Sequence, residues 1–331
     1  MASRPLILNV PNPINGIETP FLKLTAMPAH CVMFIYRQIW NLEWIIRKLE
    51  WYLILIIIGT FRIKGREAIL RCLEAALKSG YRLIDSAAIY HNEEDIGSAL
   101  EELLPKFNLQ RTDLFLTSKL SPRNQGYQPC IDSVKRSLGL MKTSYLDLYL
   151  IHWPGTGGKK VDNVVNIQMR QESWKALEDC YDKGLIKAIG VSNYCLKHLE
   201  EMKSYARTFP HVLQVEHHPH YVQPELVEYC AHHKIHYQAY SSLGTTVDGN
   251  CNPLLNNEVV KEIAKNHNKS PAQILLRWAT QQGIGVLPKS LDPVHIEENI
   301  SLDFLLDEKE INRLNTLDTR CKYAWDPSIV I

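Results

Sequence analysis

From residue 66 onward, short apolar runs of strand type alternate with longer segments of helical period. The strand-type runs are Tyr81–Asp85, Asp113–Ser118, Leu146–Ile151, Ile186–Val191, Val212–Glu216, Ile235–Ala239 and Gly285–Leu287. The helical patterns are Arg66–Lys78, Glu93–Leu104, Pro129–Leu138, Gln171–Asp182, Cys195–Tyr205, Pro224–His232, Glu258–His267 and Pro271–Gln281. Such alternation builds βαβ units, and these build a parallel sheet. An eighth strand is expected just before Gly59. Eight strands over roughly 270 residues is the count of an α/β (β/α)8 TIM barrel. The competing fold is a doubly wound open sheet. That fold usually carries a glycine-rich fingerprint after its first strand, and the chain has no GxGxxG. Several helix ends carry their own signals. Ser270-Pro271 reads as N-cap and first helical residue, with Gln223-Pro224 a weaker case. Lys78-Ser79-Gly80 and Asp182-Lys183-Gly184 read as helix ends closed by glycine.

Composition narrows the functional classes. The length of 331 residues would alone suggest two domains at ~150 residues each, but a barrel uses the same length as one. A chain 45% hydrophobic and 22% charged is globular, not disordered or collagen-like. Its 37 basic and 36 acidic side chains leave nothing to steer it to nucleic acid. Eight scattered cysteines without a CxxC, and a start (MASRPLILNVPNP) unlike a secretory signal, point to the reducing cytosol.

A barrel carries its chemistry where the strands end. The residues closing the runs are Asp85, Lys119, His152, Ser192-Asn193, Glu216-His217, Tyr240-Ser241 and Lys289-Ser290. Tyr90 follows Asp85 on the same loop. A phenol with a reference pKa of ~10 is a poor acid or base at neutral pH, and a nearby ammonium is expected to lower it. A carboxylate beside the lysine would hold that ammonium in place. With a neutral histidine as donor, the set suits proton transfer to a carbonyl oxygen. It lacks a nucleophile–base pair for acyl transfer, which argues against a hydrolase.

At these residues the sequence resembles the aldo-keto reductase superfamily, in the aldose/aldehyde reductase-like group. Gly80–Glu93 is similar to its GYRxIDxAxxYxNE signature. Leu150-Ile151-His152-Trp153-Pro154, Lys187–Tyr194 and Val286-Leu287-Pro288-Lys289-Ser290 resemble its fourth-strand, fifth-strand and cofactor-phosphate motifs. The resemblance runs from Gly59 to about Pro327, with the motifs in the family's order. It implies carbonyl reduction to alcohols by hydride transfer from NADPH, with NADH as the alternative. Tyr90 would be the general acid, tuned by Lys119 and Asp85, and His152 would orient the carbonyl. Ser192, Asn193 and Gln214 would bind the carboxamide and Tyr240 would stack on the ring. Thr60 would also touch the cofactor. Ser241 and Leu243 would line the pyrophosphate, and Lys289, Ser290, His295, Glu298 and Asn299 would hold the adenosine end. Phe61, His152 and Trp153 would meet the substrate.

The chain departs from that pattern in two places. The family often has arginine where His295 stands, which shifts NADPH preference onto Lys289 and Ser290. Secondly, about 26 extra residues separate Met27-Pro28 from Leu55–Thr60, inside the first-strand motif. The expected organisation is an N-terminal segment 1–28 over the barrel bottom, a hydrophobic insertion at 29–54, and one barrel from 55 to 331. The insertion carries Trp40, Trp44 and Trp51 on one helical stripe and Ile39, Leu42, Ile46, Leu49 and Leu53 on a roughly opposite one. It reads as an accident of exon boundaries, as an interfacial or partner-binding helix, or, least well, as a span. The uninterrupted apolar run Trp51–Ile58 is far short of the ~20 residues a span needs. Membrane association would come only through residues 29–58. An insertion there would disturb the first strand. The alternative function is then a catalytically impaired barrel kept for cofactor binding or regulation.

Two features take plainer readings. The histidines around Glu216-His217-His218-Pro219-His220 lack HExxH spacing, so no metal is expected. Gly155-Thr156-Gly157-Gly158 reads as a flexible substrate-side loop. The short tail ending at Ile331 and the short loop Ser121–Gln128 suggest an open pocket for small or varied carbonyls. The chain is expected to be a monomer with a small-molecule carbonyl as partner.

Overall fold

The computed structural model describes residues 55–245 and 252–331. The expected N-terminal segment (1–28) and insertion (29–54) lie outside the described residues. Eight parallel strands follow one another in chain order, β1 to β8. They are β1 Ile58–Gly59, β2 Leu83–Asp85, β3 Phe115–Leu120, β4 Leu148–Ile151, β5 Ile189–Ser192, β6 Val212–Glu216, β7 His236–Tyr240 and β8 Gly285–Val286. The sheet closes on itself. Ile56 bridges Val286 in parallel, Ile57 N–H donates to Val286 O at 2.9 Å, and Gly59 N–H donates to Pro288 O at 3.0 Å. The expected disturbance of the first strand is therefore corrected within the described residues. Ile56, Ile57 and Ile58 are all buried, which fixes this segment in the wall.

The helices are α1 Arg66–Lys78, α2 Glu93–Lys106, α3 Tyr127–Leu140, α4 Val165–Asp182, α5 Leu196–Met202, α6 Pro224–His232, α7 Glu258–His267, α8 Pro271–Gln281, α9 Pro293–Ile300 and α10 Glu308–Asn315. Each presents one apolar stripe inward. On α1 that stripe is Ile69, Cys72, Leu73, Ala76 and Leu77, the spacing of one helical face. Strand β4 is buried at every position, as a parallel strand covered on both faces must be. Caps match the sequence signals. Ser270 forms a capping box with Gln273 ahead of Pro271, and Gly80 and Gly184 follow their helices at positive φ. Gln223 precedes α6 in the left-handed region without capping it through its side chain.

Several strands start later than the apolar runs suggest. Tyr81 N–H closes the end of α1 on Ala76 O, so Tyr81-Arg82 belongs to the turn. Leu146 and Ile186 form only an isolated bridge ahead of β4 and β5. Helices α9 and α10 were not among the patterns. Each is eight residues long and depends on its cap, Asp292 before Pro293 and Asp307 boxed with Glu310. No helix among the described residues is long and apolar enough to cross a membrane.

Gly190 shows how closely the wall is packed. A Cβ there would lie 2.3 Å from Val212 O and 2.7 Å from Leu150 Cδ2, so β5 can approach β6 only with glycine at this point.

Candidate active site

The ends of β2, β3 and β4 bring Asp85, Lys119 and His152 to one rim of the barrel. Lys119 Nζ donates to Asp85 Oδ1 at 2.5 Å and to Ser86 O at 2.9 Å. The second carboxylate oxygen of Asp85 accepts from Gln214 Nε2 at 2.9 Å. Burial pulls the Lys119 ammonium below its usual range, and Asp85 pushes it back up. Tyr90 sits after β2 on a turn of 3-10 helix, its ring centroid 5.1 Å from Lys119 Nζ and 5.7 Å from the His152 ring, edge-on. Phe61 also packs against it, tilted, at 5.1 Å.

The Tyr90 phenol lies well above its ordinary pKa, through burial first and then the charge of Asp85. This corrects the expectation that the lysine lowers it. The ammonium is already committed to Asp85 and Ser86, and desolvation of the phenolate dominates. Tyr90 is thus held as a neutral O–H at neutral pH. His152 is held neutral too, by burial and then by repulsion from Lys119. Its Nδ1 is buried with no hydrogen-bond partner among the described residues.

The signature residues behind Tyr90 turn out to be structural. Ser86 Oγ donates to Asn92 Oδ1 at 2.6 Å, and Asn92 Nδ2 donates to the carbonyls of Thr60 and Ile63, both at 3.0 Å. Glu93 accepts from Ser118 Oγ at 2.6 Å. These bonds tie the Tyr90 loop to β1 and β3, roles that the motif match alone does not separate from chemistry.

A second group lies beside the first. Asn193, in the left-handed region, donates to His152 O at 2.8 Å and to Ser192 Oγ at 3.2 Å, and accepts from Tyr240 O–H at 2.6 Å. Thr60 Oγ donates to Asp85 O at 2.8 Å. Gln214 Nε2 also donates to Gln238 Oε1 at 3.1 Å. Trp153 continues the wall from His152 and meets Trp325 edge-on at 6.4 Å. Asp85, Tyr90, Lys119, His152, Phe61, Ser192, Asn193, Gln214 and Tyr240 thus form one connected set.

The residues expected at the far end of a cofactor form a separate set after β8. Lys289 and His295 are exposed, Ser290 and Glu298 are half-buried, and Asn299 is buried. Ser290 Oγ accepts from Asp292 N–H at 3.0 Å, and His295 Nδ1 lies 4.0 Å from Asp292 Oδ2. No hydrogen bond or ring contact among the described residues links these five side chains to the group around Asp85 and Tyr90. After β7, Ser241 sits at positive φ and Leu243 is half-buried against the core.

Sequence reasoning missed the tail. Glu216, at the end of β6, is fully buried and accepts from Tyr323 N–H at 2.5 Å, Ala324 N–H at 3.1 Å and Lys322 Nζ at 2.7 Å. His218 Nε2 adds a contact at 3.1 Å and His220 Nδ1 meets Tyr323 O–H at 2.7 Å. The histidine-rich segment therefore fastens the C-terminal segment. Farther on, Lys197 Nζ and His198 Nε2 hold the carbonyls of Ser328 and Val330. The loop read as flexible is also tied: Gly157 N–H donates to Pro122 O at 2.8 Å and Thr156 Oγ to Gln125 Oε1 at 3.1 Å.

Chemically, a neutral phenol, a neutral imidazole and a buried lysine–carboxylate pair lie in mutual contact. The carbonyl oxygen of the Gln214 amide accepts no hydrogen bond from any described residue. It is left as an acceptor that the NH2 of a nicotinamide carboxamide would satisfy. The half-exposed Tyr240 ring offers a stacking face.

The model of the Aldo/keto reductase family matches residues 55–319. The chain is 40% identical over 262 residues to the glyoxal reductase of Bacillus subtilis, covering 79% of this chain and 87% of that protein. It is 36% identical over 284 residues to aldo-keto reductase family 1 member A1 of Sus scrofa, covering 81% and 87%. Among solved structures, the aldose reductase from Schistosoma japonicum superposes with a TM-score of 0.74 at 34% identity, over 82% of this chain and 90% of that one.

Proposed function

The chain belongs to the aldo/keto reductase family and is an NAD(P)H-dependent oxidoreductase, and from that premise we propose that it reduces aldehydes and ketones to alcohols with NADPH, Tyr90 giving the proton. The observation that carries this reading is the convergence of Asp85, Tyr90, Lys119 and His152 at the ends of three neighbouring strands.

The nicotinamide, when bound, supplies the hydride that the carbonyl carbon receives. The rest falls to the protein. Ser192, Asn193 and Gln214 hold the carboxamide, and Tyr240 and Thr60 fix the ring end. His152, kept neutral, points the substrate oxygen toward Tyr90 by donating a hydrogen bond. Tyr90 gives its proton to that oxygen as negative charge builds there. The Lys119 ammonium, 5.1 Å from the ring, stabilises the phenolate left behind, and Asp85 keeps the ammonium charged and in place. In the oxidation direction the same phenolate takes the proton. Phe61 and Trp153 exclude water from the reacting carbonyl. Ser241 and Leu243 line the pyrophosphate, and Lys289, Ser290, His295, Glu298 and Asn299 hold the adenosine end. The exposed Lys289 ammonium favours a 2′-phosphate, which supports NADPH over NADH.

The test is a titration of the purified chain with NADPH and with NADH, read by quenching of intrinsic fluorescence. A panel of aldehydes and ketones follows, read by NADPH oxidation. Saturable NADPH binding with turnover of small aldehydes is the expected result. Failure of either cofactor to bind would overturn the reading. The impaired-barrel alternative gains nothing from the structure, since β1 is formed and Asp85, Tyr90, Lys119 and His152 lie together.

A further inference from the structure

Resting on the cofactor reading above, we propose that Gln238 is a positioning residue that fixes the Gln214 amide so that it faces the nicotinamide carboxamide as an acceptor only. Ser192, Gln214, Gln238 and Gly285 are successive cross-strand partners on β5 to β8. Gln214 and Gln238 are both buried, at 2% and 3% exposure. A long polar side chain inside a barrel wall needs a partner.

The Gln214 amide has two N–H groups, and both are used: one meets Asp85 Oδ2 at 2.9 Å, the other Gln238 Oε1 at 3.1 Å. The carboxylate settles which end of the amide this is, since an oxygen turned toward Asp85 would be repelled. Two contacts of different direction then define the amide plane, where Asp85 alone would leave it free to twist. The carbonyl oxygen of Gln214 is the end left over. It suits the NH2 of a carboxamide and cannot serve its C=O.

Room for this arrangement comes from the next strand. A Cβ on Gly285 would lie 3.2 Å from Gln238 Cγ and 3.3 Å from His236 Nε2, so glycine there lets the Gln238 stem lie across the wall. The result is a chain of contacts, Gln238 to Gln214 to Asp85 to Lys119, that joins the carboxamide position to the catalytic ion pair.

Three variants test the proposal in the full-length chain. Gln238→Met keeps the length and volume but removes the acceptor. The expected result is an NADPH Kd raised about three- to tenfold, the size of one lost neutral hydrogen bond. Gln238→Glu keeps an acceptor in either protonation state and should stay within about threefold of wild type. In a Gln214→Met background, Gln238→Met should change Kd no further, because its effect passes through Gln214. A readout independent of cofactor is the side-chain amide of Gln214 in selectively 15N-labelled protein. Wild type should show both protons protected from exchange with solvent, and Gln238→Met should release one. An unchanged Kd in Gln238→Met, an equal loss in the Gln214→Met background, or an unreleased amide proton overturns the proposal. If wild type binds neither NADPH nor NADH while the amide behaves as expected, the cofactor reading fails and the proposed role toward nicotinamide falls with it.

Discussion

Lys119 Nζ lies 2.5 Å from Asp85 Oδ1, and the two side chains are 0% and 5% exposed. A pair this buried gains its Coulomb energy against a large desolvation cost, so its net value is small while both partners remain. Removing one partner is different, because the other charge is left uncompensated. Asp85→Ala should lower stability by about 3–5 kcal/mol in urea unfolding. Asp85→Asn combined with Lys119→Met removes both charges and should recover most of that loss. If Asp85→Ala unfolds like wild type, the pair is not held as described.

Tyr90→Phe removes the hydroxyl and keeps the ring contacts with Phe61 and His152. Turnover should fall by about 10²–10⁴, the usual contribution of a positioned proton donor. NADPH affinity, read by fluorescence quenching, should stay within about twofold. Equal losses in binding and turnover would assign the hydroxyl to cofactor binding instead.

Acid stability follows from buried neutral histidines. Burial lowers His217 to about 3 and His236 to about 4. His217 stacks on Trp278 at 5.0 Å, where a proton would be poorly solvated. In the unfolded chain a histidine titrates near ~6.5. The unfolded state therefore takes up protons first as pH falls. Stability should be flat above about pH 7 and decline from about pH 6.5 toward the folded values, by up to about 1.4 kcal/mol per pH unit for each such histidine. Glu216 acts in a lower window. Its carboxylate is held down to about 2 by His218, Lys322 and Tyr323 N–H, against the opposing effect of burial. Its contribution is present above the unfolded value and lost as pH falls through the folded one. Melting temperatures should be level from pH 7.5 to about 7 and then fall toward pH 4.5, and a His217→Gln variant should flatten the decline. A level profile for wild type would contradict the burial of these rings.

Glu216 also governs the tail. Glu216→Ala would leave Lys322 and the N–H groups of Tyr323 and Ala324 without their acceptor. Trp325, 79% exposed and edge-on to Trp153, should then lose its fixed position beside the cleft. The expected outcome is a several-fold rise in KM for aromatic aldehydes relative to small aliphatic ones, with faster proteolytic trimming of the C-terminus. Trp325→Ala should reproduce the change in preference without the trimming. An unaltered preference in both variants would separate the tail from substrate choice.

The barrel was legible because periodicity reports local physics. Apolar strands and one-sided helices follow from burial that each element makes by itself, and Val212–Glu216, Arg66–Lys78 and Pro271–Gln281 agree with their sequence patterns residue for residue. What escaped depends on distance in the chain. Lys322 meets Glu216 across 106 positions, and no local pattern marks that pairing. Gln238 sits inside a run read simply as a strand, although a buried glutamine there needed a partner such as Gln214. The charged neighbour of the Tyr90 phenol is visible in the sequence, while its burial, a property of the assembled rim, decides the direction.

Wall packing reaches the site through Gly190. A methyl group at residue 190 would meet Val212 O at 2.3 Å and Leu150 Cδ2 at 2.7 Å, both below van der Waals contact. Backbone cannot swing aside like a side-chain tip, so Gly190→Ala must spread β5 from β6. Overpacking of this kind costs about 1–3 kcal/mol. The shift would not stay local. Ser192 and Gln214 are register partners two residues farther along the same pair of strands, and Asn193 N–H donates to Gln214 O at 3.0 Å. Gly190→Ala should therefore weaken NADPH binding as well as lower the melting temperature. Gly139→Ala, on α3 with nothing within 4 Å of a built Cβ, is the control and should leave NADPH binding unchanged. If Gly190→Ala lowers stability but binds NADPH as wild type does, the strand pair can spread without moving the carboxamide residues.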